Sequence, residues 1–157
     1  MFYINQFRDD IVAPSLNALQ IRNKNMHELL VFTCAVESAG GTYVRQIKGP
    51  ALGIYQIEPA TFTDVFTNYV LRKPDILNLF SLNLGLHRMP EPEQVITDLR
   101  LASATTACLY LYRKANLPDD VTLNAEQLWD IYKPLYNTIK GAAEKDSALK
   151  AYAKFIK

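Results

Sequence analysis

Residues 27–61 read HELLVFTCAVESAGGTYVRQIKGPALGIYQIEPAT. The stretch opens on an apolar run, Leu29 to Val36, that ends in a single carboxylate, Glu37. Asn25 and Glu28, just ahead of the run, have the spacing of a capping box and predict a helix start there. Such a helix puts Leu29, Thr33 and Glu37 on one face. Ser38-Ala39-Gly40-Gly41 predicts its stop, because glycine enters the left-handed conformation without a Cβ clash. Glu37 then lies at the C-terminal end of a helix that is apolar nearly all round. Apolar surroundings penalise an ionised carboxylate and raise its pKa. The negative end of the helix dipole acts in the same direction. A carboxyl that keeps its proton near neutrality suits general-acid cleavage of a glycosidic bond. Position alone does not separate this role from that of a solvated glutamate in a last helical turn, the commoner case.

The residues that follow do. Gly53-Ile54-Tyr55-Gln56-Ile57 precedes Pro59 and Thr61, and Tyr136-Asn137 stands far downstream in YKPLYNTIKGAA. With Glu37-Ser38, this ordered set resembles the lytic transglycosylase and goose-type lysozyme group of the lysozyme-like superfamily. It is most similar to small bacteriophage lysozyme-like proteins (endolysins). The resemblance is strong over Leu29 to Asp64, patchy over Ala102 to Ala143, and absent before Asn23. It implies a mainly α (α+β, lysozyme-like) fold: a helical bundle around a central catalytic helix, with a small irregular β-hairpin or loop region. It implies a muramidase acting on the MurNAc-β-1,4-GlcNAc bond of peptidoglycan glycan strands, with a phage-lysis role. Glu37 would be the catalytic acid/base. Ser38, Tyr55, Gln56, Tyr136 and Asn137 would bind substrate.

No Asp or Glu occurs between Glu37 and Glu58. Two-carboxylate glycosidases need a second acid, as nucleophile or to hold a water. Glu58, Asp64, Asp98 and Asp130 are the candidates. Goose-type lysozymes carry aspartates in the loop after the glutamate, and this chain departs from them there. A single glutamate suits a lytic transglycosylase, whose product is a 1,6-anhydro sugar and which needs no metal or cofactor. A lysozyme-type hydrolase of the same bond is the alternative. A non-catalytic virion saccharide-binding module and an unrelated helical interaction protein are two further readings. Retention of Glu37 argues against the former.

Composition fits this picture. The 157 residues suit one domain, 1–157, able to bury roughly two thirds of its unfolded surface. A hydrophobic content of 49% with 21% charged residues is ordinary for a globule. A net charge of +1 implies no general attraction to nucleic acid or anionic membrane. No apolar run approaches the ~20 residues of a membrane span, so no stable membrane insertion is expected. The first residues, MFYINQFRDDIVAPS, carry early acids and no signal-peptide core. They predict residence in a host cytoplasm, with the wall reached through a holin or from a virion. A monomer is expected. Cys34 and Cys108 fall in apolar helical patterns and read as buried free thiols. His27 and His87 are the only histidines, and nothing at ligand spacing suggests zinc.

Along the chain, Phe7, Ile11, Leu16 and Leu19 predict a helix bent or split at Pro14. Thr42 to Ile47 and Ala51 to Ile57 predict an irregular hairpin or loop pair. Pro59 opens a helix with a core stripe of Phe62, Val65, Phe66, Tyr69 and Val70, ending at Pro74. Ile76 to Leu86 reads as a short helix and Leu86 to Pro92 as a loop. Residues 93–115 read as the clearest long helix and the central partner of the Glu37 helix. Asn124 and Gln127 form a capping box for a helix ending before Pro134, which leaves Tyr136-Asn137 on a loop or turn. Ala148, Leu149, Tyr152, Phe155 and Ile156 mark an amphipathic C-terminal helix.

Overall fold

Pro14 lies inside the first helix without ending it. In the computed structural model, which describes residues 1–138 and 141–157, α1 runs over Ile4–Gln6, widens into a π-helical turn at Phe7–Val12 and continues as Ala13–Ala18. The Ala13 N–H bonds the Arg8 carbonyl, five residues back. A proline lacks an N–H and crowds the carbonyl four residues before it, and the wider turn relieves both problems. The expected bend or split is replaced by this π turn.

The Glu37 helix, α2, spans Lys24–Ser38, and its N-cap is Asn23, whose side chain accepts from the Met26 N–H at 2.9 Å. The capping box expected at Asn25 and Glu28 is therefore two residues out of place. Asn25 is buried in the first turn and fastens a distant loop: it donates to the Pro118 and Val121 carbonyls and accepts from Leu123 N–H. Glu28 is paired with Arg8 at 2.6 Å and accepts from the Tyr152 hydroxyl at 2.5 Å. At the other end the left-handed cap begins on Ala39, one residue before the glycines expected to supply it.

After α2 come two isolated antiparallel bridges, Arg45 with Leu52 and Leu52 with Ile57, within the irregular hairpin or loop pair expected there. Among the described residues these are the only β pairings, so the architecture is mainly α, without the β sheet of an α+β fold. Helix α3 starts at Pro59 (Pro59–Val65) and continues as a π turn, Phe66–Val70, with four of the five expected stripe residues buried and Tyr69 partly so. Pro74 does not end α3 but opens α4, Pro74–Leu84, in keeping with the tolerance of proline in a first turn. The predicted long helix over 93–115 is two elements: a 3-10 turn, Pro92–Ile96, and α5, Leu99–Tyr112. Asp98 separates them, accepting from Leu101 N–H at 2.8 Å as the α5 N-cap.

Helix α6, Ala125–Tyr132, has the expected Asn124–Gln127 capping box. It does not end before Pro134. A π turn, Lys133–Asn137, takes the proline in and carries Tyr136 and Asn137 on helical backbone rather than on a loop. Helix α7, Lys145–Phe155, buries Ala148, Tyr152 and Phe155. Helix α2 packs against α1, α5, α6 and α7, and α5 against α1, α2 and α3. These two central helices are buried on every side: Leu29 to Ala35 in one, Leu101 to Tyr110 in the other. One contiguous hydrophobic cluster runs from Ile4 to Phe155 and takes in both cysteines, whose thiol pKa values burial pushes up to about 12. Among the described residues no helix is long and apolar enough to cross a membrane.

Candidate active site

Glu37 emerges where α2 leaves the core. Its neighbours Leu29 to Ala35 are fully buried, and its carboxyl is itself largely withdrawn from water. Burial raises its pKa from 4.5 to about 7, against the opposing effect of a hydrogen bond from Tyr132. That bond, from the phenol to Glu37 Oε1, is 2.6 Å long. The dominant cause is desolvation, which the apolar run of α2 made foreseeable.

Tyr132 is not among the residues the sequence singles out; it lies in the helix that the Asn124–Gln127 box opens. Its hydroxyl is held in place by a ladder of rings. Tyr132 and Tyr136 lie one helical turn apart and stack at 5.9 Å, and Tyr136 meets Tyr110 at 5.4 Å. Phe32 of α2 packs edge-on against Tyr132 at 5.6 Å, and the Tyr110 hydroxyl is bonded to Thr33 Oγ1 at 2.7 Å. The signal for Tyr132 was present: a buried tyrosine needs a partner for its hydroxyl, and the spacing to Tyr136 shares one helix face.

The carboxyl opens onto a cleft of about 590 Å³ bordered by Gln56, Glu58, Arg113, Tyr136, Asn137 and the loop through Thr138. This volume lies in the range of small-ligand sites. Of the five residues expected to bind substrate, Gln56, Tyr136 and Asn137 reach the cleft with Glu37. Ser38 and Tyr55 do not, and here the expectation is corrected. Both are completely buried. The Ser38 hydroxyl donates to the Ile54 carbonyl at 2.6 Å and accepts from Gly41 N–H at 2.9 Å. The Tyr55 hydroxyl is bonded to Ser103 Oγ at 2.9 Å, and its carbonyl accepts from the Tyr136 hydroxyl at 2.7 Å. Through these side-chain bonds and the Tyr55 carbonyl, the two residues join α2, the 53–57 loop, α5 and the π turn after α6, and so hold the cleft walls together.

The 53–57 segment is a tight loop closed by paired Leu52 and Ile57 backbone bonds of 2.9 Å. Gly53 is required there: φ is +72°, and an added Cβ would stand 2.6 Å from the Val95 carbonyl oxygen. Gln56 also has positive φ, +50°, and donates from Nε2 to the Gly53 carbonyl at 2.7 Å. Asn137 Oδ1 accepts from Lys133 Nζ at 2.8 Å and from Ala143 N–H at 3.3 Å. Lys133 further donates to the Gly141 and Ala143 carbonyls at 2.8 and 2.9 Å, and so gathers the lip of the cleft.

Glu58 is the one other carboxylate bordering the cleft among the described residues, and it is exposed. Asp64, Asp98 and Asp130 lie outside it; Asp64 accepts from Asn68 and Asp98 caps α5. The arrangement offers one near-neutral acid in a partly dry setting, a phenol that orients it, and amide groups on two walls. Such a set can deliver a proton to an ether oxygen and take one back. Comparison of the chain with family models, with curated proteins and with solved structures found no match.

Proposed function

We propose that the chain is a peptidoglycan-cleaving muramidase of lysozyme-like fold, a lytic transglycosylase in which Glu37 serves as both acid and base. The observation that carries this reading is the partly buried Glu37 carboxyl, held by Tyr132 at the head of a cleft shared with Gln56, Tyr136 and Asn137, where burial raises its pKa to about 7. Protonated Glu37 gives its proton to the glycosidic oxygen between MurNAc and GlcNAc as the C1–O bond breaks. The resulting carboxylate takes the proton of the muramic 6-hydroxyl, whose oxygen closes onto C1 to form the 1,6-anhydro ring. The proton thereby returns to Glu37. The nucleophile is tethered to the reacting ring, so no water has to be held. Gln56 and Asn137 contribute amide groups to the sugars, and Tyr132 keeps the carboxyl aimed.

The runner-up, a hydrolase of the same bond, draws on Glu58, which borders the cleft and offers a second carboxylate to a water. Mass spectrometry of muropeptides from digested purified peptidoglycan tests both readings. Anhydro ends, lighter by one water than reducing ends, are the expected product. Reducing N-acetylmuramic ends make the protein a hydrolase, and an undigested wall removes the proposal.

A further inference from the structure

Arg113 stands at the end of α5, where the helix stops, one turn beyond Leu109, and both border the Glu37 cleft. It is the only cation among the described residues of that border. Its guanidinium is held by a bond from Nη1 to the Leu135 carbonyl, on the same π turn that carries Tyr136. No carboxylate of the described residues lies within ion-pairing distance of it. A partly buried guanidinium with one of its five donors used and no counter-charge is costly unless something else supplies the anion. Glu37 does not serve: no ion pair joins it to Arg113, and its carboxyl is bonded to Tyr132.

A neutral sugar strand has no use for such a group. The muramic unit differs from other N-acetyl sugars by its lactyl arm, which ends in a free carboxylate or in an acidic peptide. We infer that Arg113 is a specificity residue that binds the carboxylate borne on this arm, so that the cleft selects muramic strands over neutral N-acetylglucosamine polymers. The guanidinium is suited to it, because its planar donors match a carboxylate in bidentate fashion and its anchorage on Leu135 fixes their orientation. The inference rests on the peptidoglycan reading and deepens it.

The test is a titration of the full chain, carrying Glu37→Gln to keep ligands intact, with three soluble tetrasaccharides. One has free lactyl carboxylates, one bears the lactyl-linked Ala-Glu dipeptide, and one is chitotetraose. Binding of at least one anionic ligand about tenfold tighter than chitotetraose is expected, from one charge-assisted pair. The preference should vanish in Arg113→Gln and return in part in Arg113→Lys, and 0.5 M salt should weaken it. The better of the two anionic ligands identifies the source of the carboxylate. A preference that survives Arg113→Gln in a folded variant, or equal binding of all three with Arg113 present, overturns the inference. If the wild-type chain still releases anhydro ends, the inference falls alone. If the wall is untouched and no sugar binds, the peptidoglycan reading falls and this inference with it.

Discussion

The Tyr132 phenol and the Glu37 carboxyl are joined by a 2.6 Å hydrogen bond across 95 residues of sequence. The bond opposes the effect of burial on Glu37, so it tunes the acid as well as aiming it. Tyr132→Phe should move the Glu37 pKa further up and carry the falling limb of the rate–pH profile to higher pH. The rate at the optimum should drop about tenfold, the scale of one charge-assisted bond. A profile that keeps its position and loses only height would make Tyr132 a packing residue.

Glu37→Gln should abolish turbidity clearing of permeabilised cells by about two orders of magnitude or more, since the proton donor is gone. The same substitution should stabilise the protein at alkaline pH. An acid with a raised folded pKa costs nothing at low pH, where both states hold the proton. Above 4.5 the unfolded chain ionises first, and the folded state loses ground until Glu37 itself ionises near 7. The penalty in wild type grows to about 3 kcal/mol by pH 8. Urea unfolding at pH 4 and pH 8 should show the variant equal to wild type in the first case and more stable in the second.

Ser38→Ala should act on stability before it acts on binding. It leaves the buried Ile54 carbonyl and the partly buried Gly41 N–H without their partner, at a cost of about 1–3 kcal/mol. Denaturant midpoints check this. A variant of unchanged stability that binds sugar more weakly would restore the role of direct sugar contact expected from sequence.

Lys133→Met should loosen the cleft lip. It strips from Asn137, Gly141 and Ala143 together the one ammonium group that serves them, which also stands 5.7 Å from the Trp129 ring centroid. Faster hydrogen exchange confined to 137–138 and 141–143, with a raised KM and a smaller change in kcat, is the expected outcome. Uniform exchange across the chain would assign Lys133 to global stability instead.

The sequence was most legible where one local rule governed. The apolar run into Glu37, the Asn124–Gln127 box and the proline at the start of α3 all rest on neighbours within one turn. The π turns at Pro14 and Pro134 were not legible, because proline was expected to break a helix and the backbone absorbed it by widening. Asn25 has the right type and spacing for a cap, yet a loop almost a hundred residues away claimed its side chain. The site divides in the same way. Gln56, Tyr136 and Asn137 reach the cleft as the resemblance implied. Ser38 and Tyr55 instead face inward, and whether a polar side chain meets solvent or a buried carbonyl is decided by tertiary packing. Tyr132 was missed because its partner lies across the fold.

The long reach of these bonds has a temporal side. Glu37 finds its donor 95 residues later, and Tyr136 meets the Tyr55 carbonyl across 81. A chain emerging from the ribosome exposes the carboxylate long before residue 132 follows it. Until then the acid is solvated, ionised and unable to donate a proton at neutral pH. Closing contacts of such separation is a late, slow event in folding. The carboxyl is therefore made with ordinary acidity, and its raised pKa arises only when the helix carrying Tyr132 docks.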